Sequence, residues 1–438
     1  MWSKNISLTD GTLTLAGIPA AQLAKEFGTP TFFIDEDAYR SRALAWDNEL
    51  KNQFGPQAGT IFYAAKSFIC TAVAQWIADI GIGIDVCTGG ELAVALAGGV
   101  NPSKIEVHGN NKSVAEIDRA VSVGVKSIVI DSLFEIDRVA AAAKKHAVRQ
   151  SVMLRLTPGI EAHTHEKIST AHEDVKFGFS IASGAAWVAA EAVNAHPELE
   201  LLGVHCHIGS QIFGSEAHEI ATDRLLAFMA KYRDAYKKEL PELDLGGGFG
   251  IAYVDGDVTV EPKDVLPAIH KAVTDGCKKY NLAIPVVSLE PGRNIVGPTM
   301  FTLYEVGTVK QVVLKDGKIR TYVSVDGGMS DNARTALYDA EYTAIIAQRF
   351  SKAPTTLSRL VGKHCETGDI IIQEIQLPSD IAPGDLIATP ATGAYGRSMA
   401  SNYNHVPKPP VIAVKDGKAR VIVRRENEAD LLALDVKE

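Results

Sequence analysis

The chain of 438 residues is 46% hydrophobic and 22% charged, which is typical of a globular protein and is long enough for two domains. Its formal net charge of −9 and isoelectric point near 5.8 argue against nucleic acid or an anionic membrane surface as the main partner. No segment has the pattern of a signal peptide or of a membrane-spanning helix, so we expect a cytoplasmic protein.

Short apolar runs alternate with Ala-rich segments of helical spacing from residue 60 to residue 290. Eight of these runs have the length and composition of buried strands, at 60–66, 83–87, 105–109, 127–131, 151–156, 203–209, 243–248 and 285–290. Eight strands that alternate with helices predict an α/β fold, namely a closed (β/α)8 barrel of the TIM type, rather than a doubly wound open sheet.

After residue 292 the pattern changes to β-branched runs separated by turns, at 302–309, 311–314, 320–325, 369–374, 385–389 and 411–414. Asp-Gly pairs at 316–317 and 416–417 are typical of hairpin turns. These runs predict a mostly antiparallel β-sandwich or β-barrel domain. Because segment 8–15 alternates like a strand, we expect it to pair with that domain, which would then comprise 1–35 and 299–438, with the barrel at 36–298.

Residues at the carboxyl ends of barrel strands face one shared mouth. The eight predicted ends carry polar groups or glycine, where packing alone would favour apolar side chains. They are Lys66, Asp85, His108, Asp131, Arg155, His207, the glycine run 246–248, and Glu290 followed by Arg293. This set predicts an active site at the barrel mouth.

The run Gly246-Gly247-Gly248 removes side chains from a strand-to-loop corner. Consecutive backbone N–H groups there can approach an anion such as a phosphate, although a turn that only requires positive φ is the alternative. The spacing matches neither a P-loop nor a G-x-G-x-x-G fingerprint, so it gives nucleotide binding little support. His207 is either a group that stacks on an aromatic ligand or a structural histidine.

Histidines at 163, 165 and 172 lie in a polar segment that we interpret as a lid over the mouth. They lack a neighbouring carboxylate or cysteine pattern, so we expect no metal. The five cysteines, at 70, 87, 206, 277 and 365, are scattered and never in CxxC spacing, which disfavours a disulfide framework and a structural zinc site.

The groups at the strand ends together match the requirements of pyridoxal 5′-phosphate. Lys66 supplies an amine for a covalent linkage, the glycine run binds the phosphate, and His207 covers one face of the ring. Glu290 beside the pyridine nitrogen would keep it protonated, so the ring can accept the electron pair that remains after decarboxylation. The sequence therefore predicts a pyridoxal-phosphate enzyme.

Seven segments resemble the fold-type III pyridoxal-phosphate decarboxylases, and the similarity extends from about residue 29 to residue 403. They are residues 62–66, 108–112, 161–165, 207–211, 246–248, 290–293 and 364–369. The resemblance implies a barrel with a β domain, and a head-to-tail homodimer whose two active sites each take residues from the partner subunit.

The resemblance also implies the cofactor contacts. It makes Lys66 the linking and catalytic lysine, His207 the ring-stacking group and Glu290 the partner of the pyridine nitrogen. Further cofactor contacts would come from Ser210, Gly246, Gly247, Gly248, Gly292, Arg293 and Tyr395.

Substrate contacts are implied in the same way. The distal carboxylate would be held by Arg293, Arg334 and Tyr338, with Tyr395 also touching the substrate. The neighbouring subunit would contribute Cys365 and Glu366 to the site. The thiol of Cys365 would be the catalytic proton donor, and the carboxylate of Glu366 would bind the distal amino group.

Two arginines favour a substrate that keeps a carboxylate at its far end, because guanidinium groups are permanently charged and bind carboxylates through two hydrogen bonds. Together with this preference, the family resemblance implies decarboxylation of meso-2,6-diaminopimelate to L-lysine, which is the activity we expect. The family usually has prolines on both sides of Arg334, where this chain has Ala333 and Thr335, so the stiffness of that loop is in question.

Three alternatives remain. An ornithine or arginine decarboxylase of the same fold would act on a basic amino acid without the distal carboxylate. An alanine racemase would have an arginine in place of Glu290. A pyridoxal-phosphate-binding protein without catalysis would be expected to lack the β domain, Lys66 or Cys365.

Overall fold

The computed structural model describes residues 1–159 and 176–437. The chain divides into two compact units. The barrel unit comprises Arg42–Gly250 and Thr259–Asn294, and the sheet unit comprises Met1–Ser41, Ile251–Val258 and Ile295–Glu438. Within the described residues, no helix combines the length and the apolar character needed to cross a membrane.

The amino-terminal elements are β1 (Ile6–Thr9), β2 (Thr12–Leu15), β3 (Ile18–Pro19), α1 (Ala20–Phe27) and β4 (Thr31–Asp35). The first three strands form a separate antiparallel sheet, so the predicted single strand over 8–15 is in fact a hairpin. A turn at Asp10 and Gly11 divides it, and both residues have positive φ. A Cβ at Gly11 would lie 2.2 Å from the backbone nitrogen of Phe350, so only glycine fits this turn.

The barrel unit contains strands that alternate with helices after the long helix α2 (Glu36–Phe54). In chain order the elements are β5 (Ala58–Ala64), α3 (Thr71–Ile80), β6 (Gly83–Val86), α4 (Gly89–Ala97), β7 (Ile105–Val107), α5 (Val114–Val123), β8 (Ser127–Ile130), α6 (Leu133–Lys145), β9 (Gln150–Thr157), β10 (Phe179–Ser180), α7 (Ala185–Asn194), β11 (Leu199–His205), α8 (Glu216–Tyr236), β12 (Glu242–Asp244), α9 (Pro262–Tyr280) and β13 (Val286–Leu289).

Eight parallel strands close the barrel in the order β5-β6-β7-β8-β9-β11-β12-β13, because β13 pairs with β5. The two-residue strand β10 adds to β9. Every residue of β6 and β8 is buried, as expected of parallel strands covered on both faces. All eight predicted strands are present, which confirms the TIM-type barrel.

Local sequence signals start and stop the barrel helices. Helix α5 begins with a capping box, in which the Ser113 hydroxyl accepts from the Glu116 N–H while the Glu116 carboxylate accepts from the Ser113 N–H. It ends at Gly124, whose φ of 77° places it in the left-handed region. These caps fix where α5 begins and ends between β7 and β8.

The chain continues with α10 (Arg293–Val296), β14 (Met300–Val313), β15 (Ile319–Val325), α11 (Arg334–Tyr338), β16 (Ile345–Ile346), β17 (Thr355–Val361), β18 (Ile370–Pro378), β19 (Leu386–Pro390), β20 (Val411–Lys415), β21 (Lys418–Val423) and α12 (Glu428–Leu432). The main sheet has the order β18-β17-β15-β14-β4-β20-β21, with β19 and β16 attached through β14. Only β15–β17 and β4–β20 are parallel among these described pairings, so the predicted mostly antiparallel character is confirmed.

The long strand β14 divides the core of the sheet unit. Phe301 and Leu303 belong to one buried hydrophobic cluster, whereas Tyr304 and Val306 belong to another. Alternate residues of a strand face opposite sides, so this pattern places one cluster on each face of β14. The predicted Asp-Gly turns are confirmed, since they join β14 to β15 and β20 to β21.

Candidate active site

The glycine run forms a corner of bare backbone at the end of β12. A Cβ at Gly246 would lie 2.3 Å from the carbonyl oxygen of Cys206, and a Cβ at Gly247 would lie 2.2 Å from that of Glu290. A Cβ at Gly248 would lie 2.4 Å from the carbonyl oxygen of Gly209. Gly246 and Gly248 also have positive φ. The corner therefore admits only glycine, and it offers the close backbone approach that a phosphate requires.

Lys66 lies two residues after the end of β5 rather than on the strand, in a short 3-10 helix over Ala65–Ser67. It is half-buried. Its neighbour Ser67 donates hydrogen bonds to the carbonyl oxygen of Ala64 at 2.7 Å and to the Tyr63 hydroxyl at 3.1 Å. A Cβ at Gly292 would lie 2.7 Å from the Cβ of Ala64, so the lysine turn packs directly against the loop that follows β13.

Glu290 follows β13 and is buried among ionisable groups. Its Oε1 atom lies 2.9 Å from Nε2 of His108 and 3.2 Å from Nε2 of His205. Burial alone would raise the pKa of Glu290, but the charge of His108 and the contacts with both imidazoles hold that pKa well below its usual range. Glu290 is therefore a carboxylate, as expected of a partner for a positively charged nitrogen.

Asp85 is buried at the end of β6, and its carboxyl interacts electrostatically with Lys66. Burial and the charge of Glu290 raise the pKa of Asp85 to about 7, while Lys66 opposes that rise. Near neutral pH this group exchanges a proton close to the lysine. Burial also raises the pKa of the Cys87 thiol to about 11, so this cysteine stays protonated.

His207 lies just after β11, because the strand covers Leu199–His205 and so begins and ends four residues before the predicted run. Burial, followed by the charges of Lys66 and Arg155, lowers the pKa of His207 well below its usual range. Its Nδ1 atom accepts a long hydrogen bond from the Gly247 N–H at 3.4 Å. A neutral imidazole held beside the glycine corner is suited to stacking on a flat ligand.

Arg293 connects the loop after β13 with the loop after β11. It is buried, and it donates a hydrogen bond to the Ser210 hydroxyl at 3.1 Å. Ser210 follows β11 and Arg293 follows β13, so this contact joins the loops on both sides of the glycine run. Within the barrel unit, the structure thus brings the predicted residues Ser210, Gly246–Gly248, Glu290 and Arg293 together.

Arg334 lies in the sheet unit at the start of α11 and is buried in an aromatic cage. Its guanidinium lies 4.5 Å from the ring centre of Tyr253 and 5.5 Å from that of Tyr342, and it donates to the Tyr342 hydroxyl at 2.5 Å. Among the described residues, Arg334 has no ion pair with a carboxylate. A buried cation without a counterion is costly, so the cage is suited to an anionic ligand.

Cys365 and Glu366 are exposed on a loop of the sheet unit. Hydrogen bonds hold the base of this loop, because Asp369 accepts from the N–H groups of Met329 and His364. The Nε2 atom of His364 lies 2.8 Å from the Ser330 hydroxyl. The loop is thus fixed at its base while its thiol and carboxylate remain accessible.

Two further predicted residues also lie in the sheet unit. Tyr338 ends α11 and is half-buried, and Tyr395 is half-buried with a positive φ of 60°. Tyr395 interacts electrostatically with Arg334, which places it near the aromatic cage. The predicted lid histidines at 163, 165 and 172 lie outside the described residues.

Several groups that shape these environments have no predicted role in the sequence. Glu91 accepts a hydrogen bond from the Cys87 N–H at 2.6 Å and fixes the loop after β6. Its position at the start of α4, three residues after Thr88, was a signal, because this spacing marks a helix amino terminus. Tyr253 and Tyr342 cage Arg334; Tyr342 follows it by eight residues, but Tyr253 lies far from both in the sequence, and no local pattern connects it with them.

The barrel unit fits pyridoxal 5′-phosphate on observations that belong to the molecule itself. The glycine corner excludes a Cβ at three successive positions, and Glu290 is an ionised carboxylate. Lys66 presents an amine whose charge acts on Asp85, a buried carboxyl with a pKa of about 7. His108, His205 and Glu290 also lie close enough together for a metal ion. Because Nε2 of His108 lies only 2.9 Å from Oε1 of Glu290, we interpret these groups as an ion-paired cluster.

Comparison with known proteins gives consistent matches over the whole chain. The family model for the pyridoxal-dependent decarboxylase, pyridoxal binding domain, matches residues 37–297. The chain is 49% identical to the diaminopimelate decarboxylase of Mycobacterium tuberculosis over 442 residues, covering 100% of this chain and 98% of the relative. It is 40% identical to the diaminopimelate decarboxylase of Bacillus subtilis, covering 97% and 95%.

A solved structure agrees with these matches. The diaminopimelate decarboxylase of M. jannaschii, in complex with L-lysine, superposes with a TM-score of 0.90 at 29% identity, covering 100% of this chain and 99% of the other. Both the sequence and the fold of the relatives therefore extend through the barrel unit and the sheet unit. The chain belongs to the diaminopimelate decarboxylase family of pyridoxal-dependent decarboxylases.

Proposed function

We propose that this chain removes carbon dioxide from meso-2,6-diaminopimelate to give L-lysine, with pyridoxal 5′-phosphate as cofactor. The observation that carries the substrate assignment is Arg334, a buried guanidinium that has no carboxylate partner among the described residues. A substrate with a second carboxylate would neutralise it. A plain basic amino acid such as ornithine would instead bring a second positive charge.

Residues of the barrel unit would each bind a different part of the cofactor. The N–H groups of Gly246–Gly248, with Ser210, Gly292 and Arg293, would hold the phosphate, and neutral His207 would cover the ring. Glu290 would face the ring nitrogen. When bound, the cofactor supplies a conjugated ring over which the electron pair of the breaking bond can spread.

The remaining residues act on the substrate. Lys66 would link the cofactor, and its Nζ atom would be displaced by the substrate amine and would return when product leaves. Arg334 and Tyr338 would bind the distal carboxylate, and Glu366 the distal amino group. After carbon dioxide departs, the carbon atom needs one proton, which either the Cys365 thiol or Lys66 Nζ would donate.

The direct test measures carbon dioxide release from the cofactor-loaded protein with four substrates: meso-diaminopimelate, lysine, ornithine and arginine. We expect release from meso-diaminopimelate alone at substantial rates, since only this substrate provides a carboxylate for Arg334. Equal or faster release from ornithine would contradict the substrate assignment and would favour the ornithine-type alternative. A cofactor-loaded protein inactive on all four would favour a binding protein without catalysis.

We further propose a homodimer in the cytoplasm with active sites that share residues between subunits. No disulfide joins the five cysteines, all of which lie within the described residues, and this suits a reducing compartment. Cys365 and Glu366 are exposed rather than packed into their own sheet unit, so they are available to a neighbouring molecule. Both proposals extend the family resemblance.

Mixing two inactive variants tests the shared sites. Lys66→Ala subunits would lack the linking amine, and Cys365→Ala subunits would lack the thiol. If each site takes Cys365 from the partner, remixed dimers should recover about a quarter of the normal rate, because half of randomly paired dimers are mixed and each mixed dimer holds one intact site. No recovery, with mixed dimers demonstrated by tagged subunits, would place both residues in a site within one chain.

A further inference from the structure

The buried cluster around Glu290 contains four residues, Glu106, His108, His205 and Glu290, which we call the Glu290 cluster. Both imidazoles contact the same carboxylate oxygen, Oε1, at 2.9 Å and 3.2 Å. Nε2 of His108 also lies 3.5 Å from Oε2 of Glu106. The two rings meet edge to face, with centres 4.8 Å apart. All four side chains are buried, so their charges are not screened by water.

The two histidines differ in charge although they contact the same atom. Burial alone would lower the pKa of His108, but Glu290 and Glu106 raise it well above its usual value, so this ring is positively charged. For His205, burial outweighs Glu290 and the pKa is lowered, so this ring is neutral. His108 therefore lies as one positive charge between two negative carboxylates, and the Glu290 cluster carries one net negative charge.

Other ionisable groups around the cluster leave this balance in place. Burial and the charges of Glu290 and Glu106 raise the pKa of Asp244 well above its usual value, so that carboxyl is protonated. Asp85, on the other side, has a pKa of about 7. Lys66 and Arg155 are further positive groups whose charges act on these side chains, and Lys126 acts on Glu106. Within the four residues of the cluster, one net negative charge is the complement of one protonated ring nitrogen.

Structural packing alone does not account for this arrangement. Buried ion pairs rarely stabilise a fold compared with apolar side chains of similar size, because desolvation costs as much as the attraction returns. The cluster is nevertheless held by a further hydrogen bond, because the Ser127 hydroxyl donates to the carboxylate of Glu106. A role toward a ligand explains why the cost is tolerated.

We propose that His108 is a positioning residue, which holds Glu290 by its Oε1 atom as an ionised carboxylate and leaves Oε2 to bind the protonated ring nitrogen of the cofactor. The Nε2 atom of His205 contacts the same oxygen at 3.2 Å and would limit the rotation of that carboxylate. This inference rests on the role of Glu290 given under Proposed function. It predicts that the positive charge of His108, more than its shape, maintains the proton on the ring nitrogen.

The test compares His108→Gln with His205→Gln in protein loaded with pyridoxal phosphate labelled with ¹⁵N in the ring. Glutamine keeps a neutral donor but never carries charge. In His108→Gln we expect the ring-nitrogen resonance to move to the position of an unprotonated nitrogen, and kcat to fall about 10- to 100-fold, as is typical when the partner behind a functional ligand is removed. In His205→Gln we expect the resonance to stay at the protonated position.

His146→Gln provides a matched control, because His146 also contacts a carboxylate, that of Asp118 at 2.9 Å, but lies near the surface. Its resonance and rate should equal those of the natural protein. An unchanged protonated resonance in His108→Gln would overturn the inference. If that variant does not fold, a pH titration of the natural protein decides, since loss of the ring proton between about pH 6 and 9 would show that the cluster does not hold it.

A further variant separates this inference from the proposed function. Glu290→Gln should lose the ring proton if Glu290 is the nitrogen partner. If Glu290→Gln loses the proton and His108→Gln keeps it, the role of Glu290 stands and the role of His108 fails. If Glu290→Gln keeps the proton, the assignment of Glu290 itself fails.

Discussion

Lys66→Ala is expected to abolish the absorption band of the lysine-linked cofactor and to reduce decarboxylation by at least about three orders of magnitude, because the variant has no amine to form the linkage. The turn that carries Lys66 should survive. The hydrogen bonds from the Ser67 hydroxyl to the Ala64 carbonyl oxygen and to the Tyr63 hydroxyl remain available in the variant. Titration with pyridoxal phosphate followed by absorption spectroscopy, together with carbon dioxide release, measures both effects.

Lys145→Ala is the matched control, since Lys145 is exposed and pairs with Asp118 at the surface. It should keep the band and the rate. A normal band in Lys66→Ala would exclude Lys66 as the linking residue. A missing band with a normal rate would instead separate the linkage from catalysis.

Arg334→Ala is expected to lower kcat/KM for meso-diaminopimelate by about 100-fold or more, since removing one partner of a buried charge pair costs roughly 2–5 kcal/mol and each 1.4 kcal/mol is tenfold. The main effect should be on KM, because the guanidinium binds a carboxylate that does not react. The substrate-free variant should be no less stable than the natural protein. Burying that cation is itself costly, so thermal unfolding gives an independent readout.

Arg359→Ala is a control from the same unit. Arg359 also lies over a tyrosine, with 5.7 Å between its guanidinium and the Tyr322 ring centre, and it donates to the Gln373 carbonyl. Its loss should leave kcat/KM unchanged. If Arg334→Ala behaved like Arg359→Ala, the distal carboxylate would have to bind elsewhere.

The regular architecture was predictable because it depends on local patterns. Eight apolar runs with helical segments between them specify the barrel, and two Asp-Gly pairs specify two hairpins. By contrast, the edge strand β21 was missed because most of its residues are partly or fully exposed and it has no buried apolar run. Strand β14 was divided in two, since the polar residues in its second half resemble a turn in sequence.

The candidate site was predictable only as a set of residue types at strand ends. Lys66, the glycine run and Glu290 could be identified because each is unusual at its position. The charge of each histidine could not be predicted, since His108 and His205 look alike in sequence and differ through neighbours brought together by folding. The cage of Arg334 depends in the same way on folding, which brings Tyr253 from a distant part of the chain against it.

The pairing of β4 has a consequence for synthesis on the ribosome. This strand is made early, yet its two neighbours in the sheet are β14 and β20, which both follow the last barrel strand in the chain. The barrel strands, in contrast, are complete once β13 has emerged. An apolar segment of β4 therefore stays without its sheet neighbours while the barrel forms. It contains Phe32, Phe33 and Ile34, which are fully buried in the folded protein. During that interval the nascent chain is most exposed to aggregation, and a chaperone that binds this segment would act before the sheet unit closes over it.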